Sequence, residues 1–510
     1  PSRMERMIET QAAYQALTTR DPRFDGIFYV GVTSTRIYCR PICPAKTPTA
    51  RNCRFFQTAG QAEKAGFRPC LRCRPELAPG AAPVDDAQRI AHLIAQRIET
   101  GDIGLGANLA QIAAQFELSP RQIRRIMQAQ LGLSPMELLQ SKRLLLAKQL
   151  LTETSLPVTQ IAFASGFSSL RRFNDAFSRH YRMPPSRLRR EAATPSPGTA
   201  AETCAQLRLA YRPPYDWPGV LAFLAGRMIK GVEHVTPTFY ARTVRLGFYV
   251  GWVKVTQRAQ SDELLVEFPP SLTAVLPALL GRLRDLFDLD ARPDIISGQL
   301  MRDATLAPIV ARNPGLRVPG AFDGHEMAMR AILGQQITVK AATTLAGRLA
   351  ARFGTPVATP FEALNLLAPT PKALSEATID DIAALGIIRN RAASLIALSR
   401  AIASGGLDLR SGLPAEKTIA ALRALPGIGP WTAQYIAMRA LHWPDAFPRE
   451  DIAIRNQFGR QAWKQIEAAA EAWRPWRGYA TLHIWSHPEM IAPAAAKPVF
   501  KKRGDELGAF

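Results

Sequence analysis

Leu425-Pro426-Gly427-Ile428-Gly429-Pro430-Trp431, with Phe447-Pro448-Arg449-Glu450-Asp451 some twenty residues behind it, decides how the C-terminal half of this 510-residue chain folds. Helical stretches at Ala415–Leu425 and Thr432–Leu441 flank the first run, so its Gly-x-Gly turn opens a helix. Such a turn presents backbone N–H groups and the positive end of the helix dipole, which suits a DNA phosphate at Gly427 and Gly429. Gly-x-Gly alone is common where helices end; the aspartate that follows narrows the reading.

Working outward, Leu207–Asp290 shows mixed patterning. Leu207, Leu209 and Tyr211 alternate, a helix is expected near Pro218–Lys230, and Thr243–Thr256 and Leu264–Phe268 read as strands. From Phe322 onward the pattern is all-helical, with runs at Met329–Arg352, Leu374–Leu385, Arg389–Ser404 and Gln457–Trp473. RPPYDWPGVLAFLAGR (212–227), RAILGQQIT (330–338), LPGIGPWTAQYIAMRAL (425–441) and WRPWRGYATLHIW (473–485) make Leu207–Trp485 resemble AlkA-type 3-methyladenine-DNA glycosylases of the helix–hairpin–helix superfamily. The resemblance implies Asp451 as the catalytic carboxylate and Trp431, Tyr435 and Trp485 as the walls of a pocket for a flipped-out base. It sets Gln336 where relatives insert an apolar wedge, and Trp431 where strand-nicking relatives carry lysine, so a monofunctional enzyme is expected. Any one of these aromatics could equally be core. No cysteine follows Cys204, which leaves no ligands for the iron–sulfur cluster of some relatives.

Asp85–Arg190 reads as helical throughout. Leu109, Ile112, Ala113 and Phe116 share a face, and Ser119-Pro120-Arg121-Gln122 combines an N-cap, a first-turn proline and a capping-box glutamine. Ser134-Pro135-Met136-Glu137 repeats that chemistry before a long helix with Leu138, Leu139, Leu145 and Leu150. A second unit runs Val158, Ile161, Ala162, turns at Gly166-Phe167, and continues from Ser168 into a helix that buries Phe173 and Phe177. Close helix crossing at a glycine turn is what a helix-turn-helix requires. The second helices offer Arg121, Gln122, Arg124 and Arg125 in one unit, and Ser169, Arg171, Arg172 and Asn174 in the other, as phosphate and base-edge contacts. A plain bundle with solvated arginines fits the same pattern. Two units joined by a long helix resemble the AraC-type regulator domain.

Five of the six cysteines fall between Cys39 and Cys73. Cys39-x3-Cys43 and Cys70-x2-Cys73 have the spacing of a tetrahedral all-cysteine site for one Zn2+ per chain, whereas Cys53 falls outside the two pairs and is expected to be buried. FYVGVTSTRIYCRPICPAK (28–46) and AGFRPCLRCRPE (65–76) resemble the N-terminal domain of Ada-type proteins. That resemblance implies Cys39 as an acceptor of methyl groups from DNA phosphotriesters, with Arg40, Arg72 and Arg74 helping to hold the DNA backbone. An inert zinc staple is the structural alternative. The C-terminal alkylguanine methyltransferase usual in this family, with its Pro-Cys-His-Arg motif, has no counterpart here.

The net charge of +22 divides into about +7 up to residue 80, +6 to residue 194 and +9 beyond, which favours a polyanionic partner. No apolar run is long enough to span a membrane, residues 1–20 lack an apolar signal core, and the clustered cysteines suit a reducing compartment, so a cytoplasmic protein is expected. LAPGAAP (77–83) and AATPSPGTAAET (192–203) read as linkers. The expected protein is multidomain and mostly α with α+β parts: a zinc methyl-acceptor domain (1–80), a double helix-turn-helix domain (84–191), a linker (192–205), an α+β subdomain (206–296), an all-α helix–hairpin–helix domain (297–490) and a tail (491–510). Alkylated and promoter double-stranded DNA and RNA polymerase are the expected partners of a monomer. Two alternatives stay open: a regulator whose C-terminal half only binds DNA, and a glycosylase whose front half only docks it.

Overall fold

The computed structural model describes residues 10–20, 28–56, 58–75, 86–99, 101, 103–116, 118–192, 204–411, 415–457 and 463–486. Residues 77–83, 193–203 and 491–510, the two linkers and the tail read from the sequence, lie outside them. The described residues fall into two compact units. One runs up to Glu99 and takes in Ala107–Lys142; the other takes in Thr100–Gly106 and continues from Arg143.

The first unit begins with helix α1 (Thr10–Thr19) and a four-stranded sheet of β1 (Tyr29–Val32), β2 (Ile37–Cys39), β3 (Cys53–Phe56) and β4 (Arg68–Pro69), with α2 (Ala59–Lys64) before the last strand. The order is β3-β1-β2-β4. The β2–β4 pair is parallel, Ile37 opposite Arg68 and Tyr38 opposite Pro69, so Cys39 and Cys70 emerge from the same end of the sheet. Helices α3 (Asp86–Glu99), α4 (Leu109–Ala114) and α5 (Pro120–Leu131) complete this unit's described elements up to the long α6 (Pro135–Glu153), within which the division falls. The capping box at Ser119 and Gln122 is formed, Ser134 and Glu137 exchange the same pair of bonds, and Ile123 and Met127 bury the inner face of α5.

In the second unit α7 (Val158–Ala164), α8 (Leu170–Tyr181) and α9 (Pro185–Ala192) follow. The α8 cap is Ser169, one residue later than the sequence suggested, because its hydroxyl reaches the Arg172 amide. Phe173 and Phe177 are fully buried. Next comes an antiparallel sheet ordered β5-β9-β8-β7-β6, built from β5 (Ala205–Ala210), β6 (Glu233–Val235), β7 (Phe239–Leu246), β8 (Tyr249–Gln257) and β9 (Glu263–Phe268), with α10 (Trp217–Ala225) between its first two strands. Thr243–Thr256 is thus a hairpin rather than one run, turning at Gly247 in left-handed backbone (φ 61°). Helices α11 (Leu276–Phe287), α12 (Pro293–Leu300) and α13 (Ala307–Arg312) lead to α14 (Gly324–Leu333) and α15 (Val339–Phe353). The buried pair Arg242 of β7 and Glu326 of α14, 2.8 Å apart, pins the sheet to the helices.

Two long helices read from the sequence are each split. Met329–Arg352 breaks after Gly334 because Thr338 caps a new helix through the Ala341 amide (3.2 Å), leaving Gln336 exposed and left-handed (φ 55°) in the turn. Leu374–Leu385 divides into α16 (Pro371–Ser375) and α17 (Ile379–Ala383), opened by Thr370 and Thr378 in the same way. The region after Phe322 is not wholly helical, since the two-residue strands β10 (Thr355–Pro356) and β11 (Leu366–Leu367) pair within it. After α18 (Arg389–Ala403), α19 (Ala415–Arg423) and α20 (Pro430–Arg439) come α21 (Ile452–Gln457), α22 (Trp463–Ala470) and α23 (Arg477–Ser486); of the helix expected over Gln457–Trp473, residues 458–462 lie outside the described residues. One apolar cluster from Ile229 to Ile484 unites these helices, with Trp473 fully buried in it.

The turn between α19 and α20 has one conformational demand. Gly427 has φ 76°, and a Cβ there would meet Ser394 Oγ at 2.2 Å, whereas Gly429 is extended and a Cβ there meets nothing within 4 Å. Gly427→Ala should therefore destabilise the protein by at least the ~1–2 kcal/mol of a left-handed non-glycine residue. Gly429→Ala should leave the urea midpoint nearly unchanged; equal midpoints for the two variants would contradict this reading.

Candidate functional site

Asp451 sits just ahead of α21, and its backbone N–H donates to Pro448 O (2.8 Å). Its Oδ1 accepts from the amides of Ala453 (2.9 Å) and Ile454 (3.4 Å), the geometry of a helix N-cap. The same oxygen accepts the indole N–H of Trp485 (3.0 Å), and Oδ2 accepts that of Trp431 (3.1 Å). Trp431 on α20 and Trp485 on α23 thus both converge on one carboxylate carried by a third element.

Tyr435, one turn after Trp431, stacks beside it with ring centroids 5.1 Å apart and planes 19° from parallel, and lies 6.0 Å from Trp485. From the next turn Arg439 donates to the Tyr435 hydroxyl (3.0 Å) and to the carbonyls of Pro319 and Gly320. Burial pushes the Tyr435 hydroxyl up, but Arg439, Arg227 and Arg330 outweigh it and hold it below the usual tyrosine range. Glu450 turns aside, its carboxylate 3.9 Å from Arg449 Nε. The four residues expected to form the base pocket are therefore together: three aromatic rings and one carboxylate whose oxygens two of them, Trp431 and Trp485, orient. Arg439 was not foreseen; its sequence signal is only its i+4 spacing from Tyr435.

Gln335 was also missed. Its side-chain N–H2 donates to Gly427 O (2.9 Å) and Thr432 Oγ1 (3.0 Å), and its own carbonyl accepts from Arg391. It ties the turn that carries Gln336 to the glycine turn before α20. The doubled glutamine after Gly334 was the available clue.

In the first unit, the sulfurs of Cys39, Cys43, Cys70 and Cys73 lie within 4.8 Å of one another, all four residues buried. Cys43 and Cys70 sulfurs are 3.9 Å apart, near the ~3.8 Å edge of a tetrahedron with Zn–S of about 2.3 Å. Hydrogen bonding with Cys43 and Cys73, then burial, push the Cys39 thiol up, while its bond with Cys39 drives Cys43 down. Four thiolates at this spacing repel unless a cation sits among them, and the set fits one Zn2+. The Arg40 amide reaches Cys73 Sγ (3.4 Å). Cys39, Cys43 and Cys70, but not Cys73, line a 320 Å³ cavity with Thr35, Arg68 and Arg72. The Arg40 side chain is only 1% exposed, so its expected place on the DNA-facing surface is corrected, whereas Arg72 and Arg74 are exposed. Cys53 is half-buried outside the cluster, 3.4 Å from Thr49 O.

Arg121, Arg124 and Arg125 are exposed on α5, on the face away from buried Ile123 and Met127. Arg171 and Arg172 are exposed on α8, away from Phe173 and Phe177. No helix among the described residues is long and apolar enough to cross a membrane.

Comparison with known proteins divides the chain accordingly. Residues 12–76 match the metal binding domain of Ada, 112–191 a helix-turn-helix domain, 206–323 the AlkA N-terminal domain, and 329–477 the HhH-GPD superfamily of base excision DNA repair proteins. The "Probable bifunctional transcriptional activator/DNA repair enzyme AlkA" of Mycobacterium tuberculosis is 38% identical over 489 residues, 94% of this chain and 97% of that one. DNA-3-methyladenine glycosylase 2 of Escherichia coli is 37% identical, covering 54% of this chain and 95% of its own length. The bifunctional transcriptional activator/DNA repair enzyme Ada of Escherichia coli is 34% identical, covering 24% of this chain and 33% of its own.

Purified protein should carry one zinc per chain. Replacing Cys70 and Cys73 together by serine should remove it, and Cys53→Ser should not; metal analysis showing zinc retained in the double variant would refute the assignment.

Proposed function

The chain belongs to the family of AlkA-type bifunctional transcriptional activator/DNA repair enzymes, and on that footing we propose that it repairs and reports DNA methylation at two separate centres. One excises alkylated bases of the 3-methyladenine type by hydrolysis of the N-glycosidic bond, without nicking the strand. The other transfers methyl groups irreversibly from DNA methylphosphotriesters to Cys39 and thereby activates transcription.

The excision reading rests above all on the Asp451 carboxylate between the indole N–H groups of Trp431 and Trp485. A protein that only binds DNA has no use for a carboxylate in an aromatic recess, where it would repel phosphates. An alkylated purine is cationic, so the stacked faces of Trp431 and Tyr435, with Trp485 beside them, attract it once it is flipped out. As the bond from C1′ to the base nitrogen breaks, its electron pair neutralises the base and positive charge builds on the deoxyribose. Asp451 stabilises that charge until water adds at C1′ and loses its proton, leaving an abasic site. Trp431 has no amine to form an imine with the sugar, so the backbone stays whole. Gly427 and Gly429 serve the phosphates, and Gln336, exposed at its turn, fills the gap left by the base.

Zinc bound at the four cysteines would keep their sulfurs deprotonated at neutral pH. Cys39 Sγ attacks the methyl carbon of the triester; the S–CH3 bond forms as the O–CH3 bond breaks, and its electron pair stays on the phosphate oxygen to give an ordinary diester. Methylation cancels one negative charge in the cysteine cluster and so weakens its repulsion of DNA, which strengthens promoter binding through Arg121, Arg124, Arg125, Arg171 and Arg172. RNA polymerase is the partner that such an activator recruits.

Asp451→Asn should slow release of alkylated purines by about a hundred- to a thousandfold, as loss of one well-placed electrostatic group does, while methyl transfer to the protein continues. A duplex with a single alkylated adenine, assayed with and without alkali, decides this; breaks before alkali, or full activity in the variant, would overturn the excision chemistry. Mass spectrometry after exposure to methylphosphotriester DNA should place one methyl group on Cys39, and promoter affinity should rise with it. Methyl found on Cys53 or Cys204 would remove Cys39 from the role.

A further inference from the structure

The boundary between the two compact units falls inside α6, between Lys142 and Arg143, so α7 and α8 share a unit with the five-stranded sheet and with Asp451. Their first joint is at the sheet's edge. β5 ends the sheet on one side, and an edge strand carries backbone groups that no further strand pairs. At Arg208 α6 takes both: the N–H donates to Glu153 Oε2 (2.8 Å) and the C=O accepts from Gln149 Nε2 (2.7 Å). Gln149 and Glu153 stand one helical turn apart and bond each other (3.3 Å), two prongs set by the pitch of α6.

A second joint lies at Gly101 and Leu105. A Cβ on Gly101 would stand 2.6 Å from Pro277 O in the first turn of α11, and one on Gly166 would stand 2.6 Å from Leu105 Cβ. Leu105 O also accepts from Arg143 Nε of α6 (2.6 Å). This stretch thus touches α11 on one side and the turn between α7 and α8 on the other. α7 itself packs against the 3-10 turn Pro270–Val275, which runs directly into α11.

The helix bearing Arg171 and Arg172 is fastened to the same frame. At its end the Tyr181 hydroxyl donates to Leu144 O of α6 (3.3 Å), and the Tyr181 ring packs on Phe177 with centroids 4.6 Å apart. From β5 the sheet leads to β7, whose Arg242 holds Glu326 of α14, and Gln335 after α14 holds Gly427 and Thr432 beside Trp431. Packed structure runs unbroken from Arg171 to Asp451, and close-packed protein moves as a piece rather than flexing between neighbours. Shielding a sheet edge needs only a helix laid along it; here the shielding helix also carries a DNA-reading unit. We propose that the second helix-turn-helix unit is a rigid handle for the excision centre, joined to it by Gln149 and Glu153 on Arg208. With Arg171 and Arg172 seated on a promoter, Asp451 is carried to one face of that same duplex. This rests on the excision and promoter-binding readings above.

A flexible tether would reach every nearby position alike, whereas a rigid handle reaches a face that returns once per helical turn, about every 10.5 base pairs. The test uses the full, zinc-loaded chain and duplexes carrying the site that this chain selects from random-sequence DNA. A single alkylated adenine is moved one base pair at a time over two helical turns, and kcat/KM for excision is divided by its value with the site scrambled. The ratio should rise and fall with the helical period, with peaks of roughly tenfold or more from the raised local concentration. Gln149→Ala combined with Glu153→Ala should level the ratio across positions and leave kcat on scrambled duplexes unchanged, which mere loss of stability would not do. Arg171→Ala with Arg172→Ala should bring the ratio to one throughout. A ratio equal at all positions in the unaltered chain, or a periodicity that survives in the Gln149 and Glu153 variant, would overturn the handle. Excision without periodicity leaves the excision reading standing; no excision even on scrambled duplexes removes that reading itself. Should the double variant fail to fold, the profile of the unaltered chain decides alone.

Discussion

A single carboxylate held from three directions organises the catalytic half. Asp451 caps α21, receives an indole N–H from α20 and another from α23, and so fixes three helices around one pair of oxygens. Bonds of this kind to an ionised acceptor are among the stronger ones in proteins. Each donor also carries a large ring, so satisfying the carboxylate simultaneously positions the aromatic walls. The stack of Trp431 on Tyr435, and the Arg439 bond beneath it, continue the same constraint down α20 into the loop at Pro319–Gly320.

The zinc domain solves a related problem with opposite means. Four sulfurs are gathered within 4.8 Å of one another, and it is backbone pairing that gathers them. Parallel alignment of β2 with the two-residue β4 delivers Cys39 and Cys70 to one end of the sheet, and short turns bring Cys43 and Cys73 back to them. A structure this small buries little apolar surface, so the metal supplies a large part of its stability.

Much of this was legible in the sequence, because the features concerned are local. Cysteine spacing, the capping boxes at Ser119 and Ser134, and the glycine turn before α20 are set within a few residues, and Phe173 and Phe177 are buried as their spacing indicates. What was missed depends on partners distant along the chain. Periodicity ran straight through Gly334–Thr338 and Glu376–Thr378, because threonine caps compete with helix continuation and leave the apolar pattern intact. Arg40 read as a surface cation because nothing local marks it as buried. Arg439 and Gln335 matter through contacts more than ninety residues away, to Gly320 and Gly427, and no window of sequence contains both ends.

The amide of Gln335 joins two loops that sequence keeps 92 residues apart. Had each loop been free, ordering both on a DNA duplex would cost backbone entropy at every encounter, about 1–2 kcal/mol per residue fixed. The bridge moves that cost to the moment of folding. Gln336 and the glycine turn are thereby held as one preset jaw, with a set span between its two tips. On the proposed reading a duplex meets both tips at a spacing already set, so the entropy of ordering them does not weaken binding.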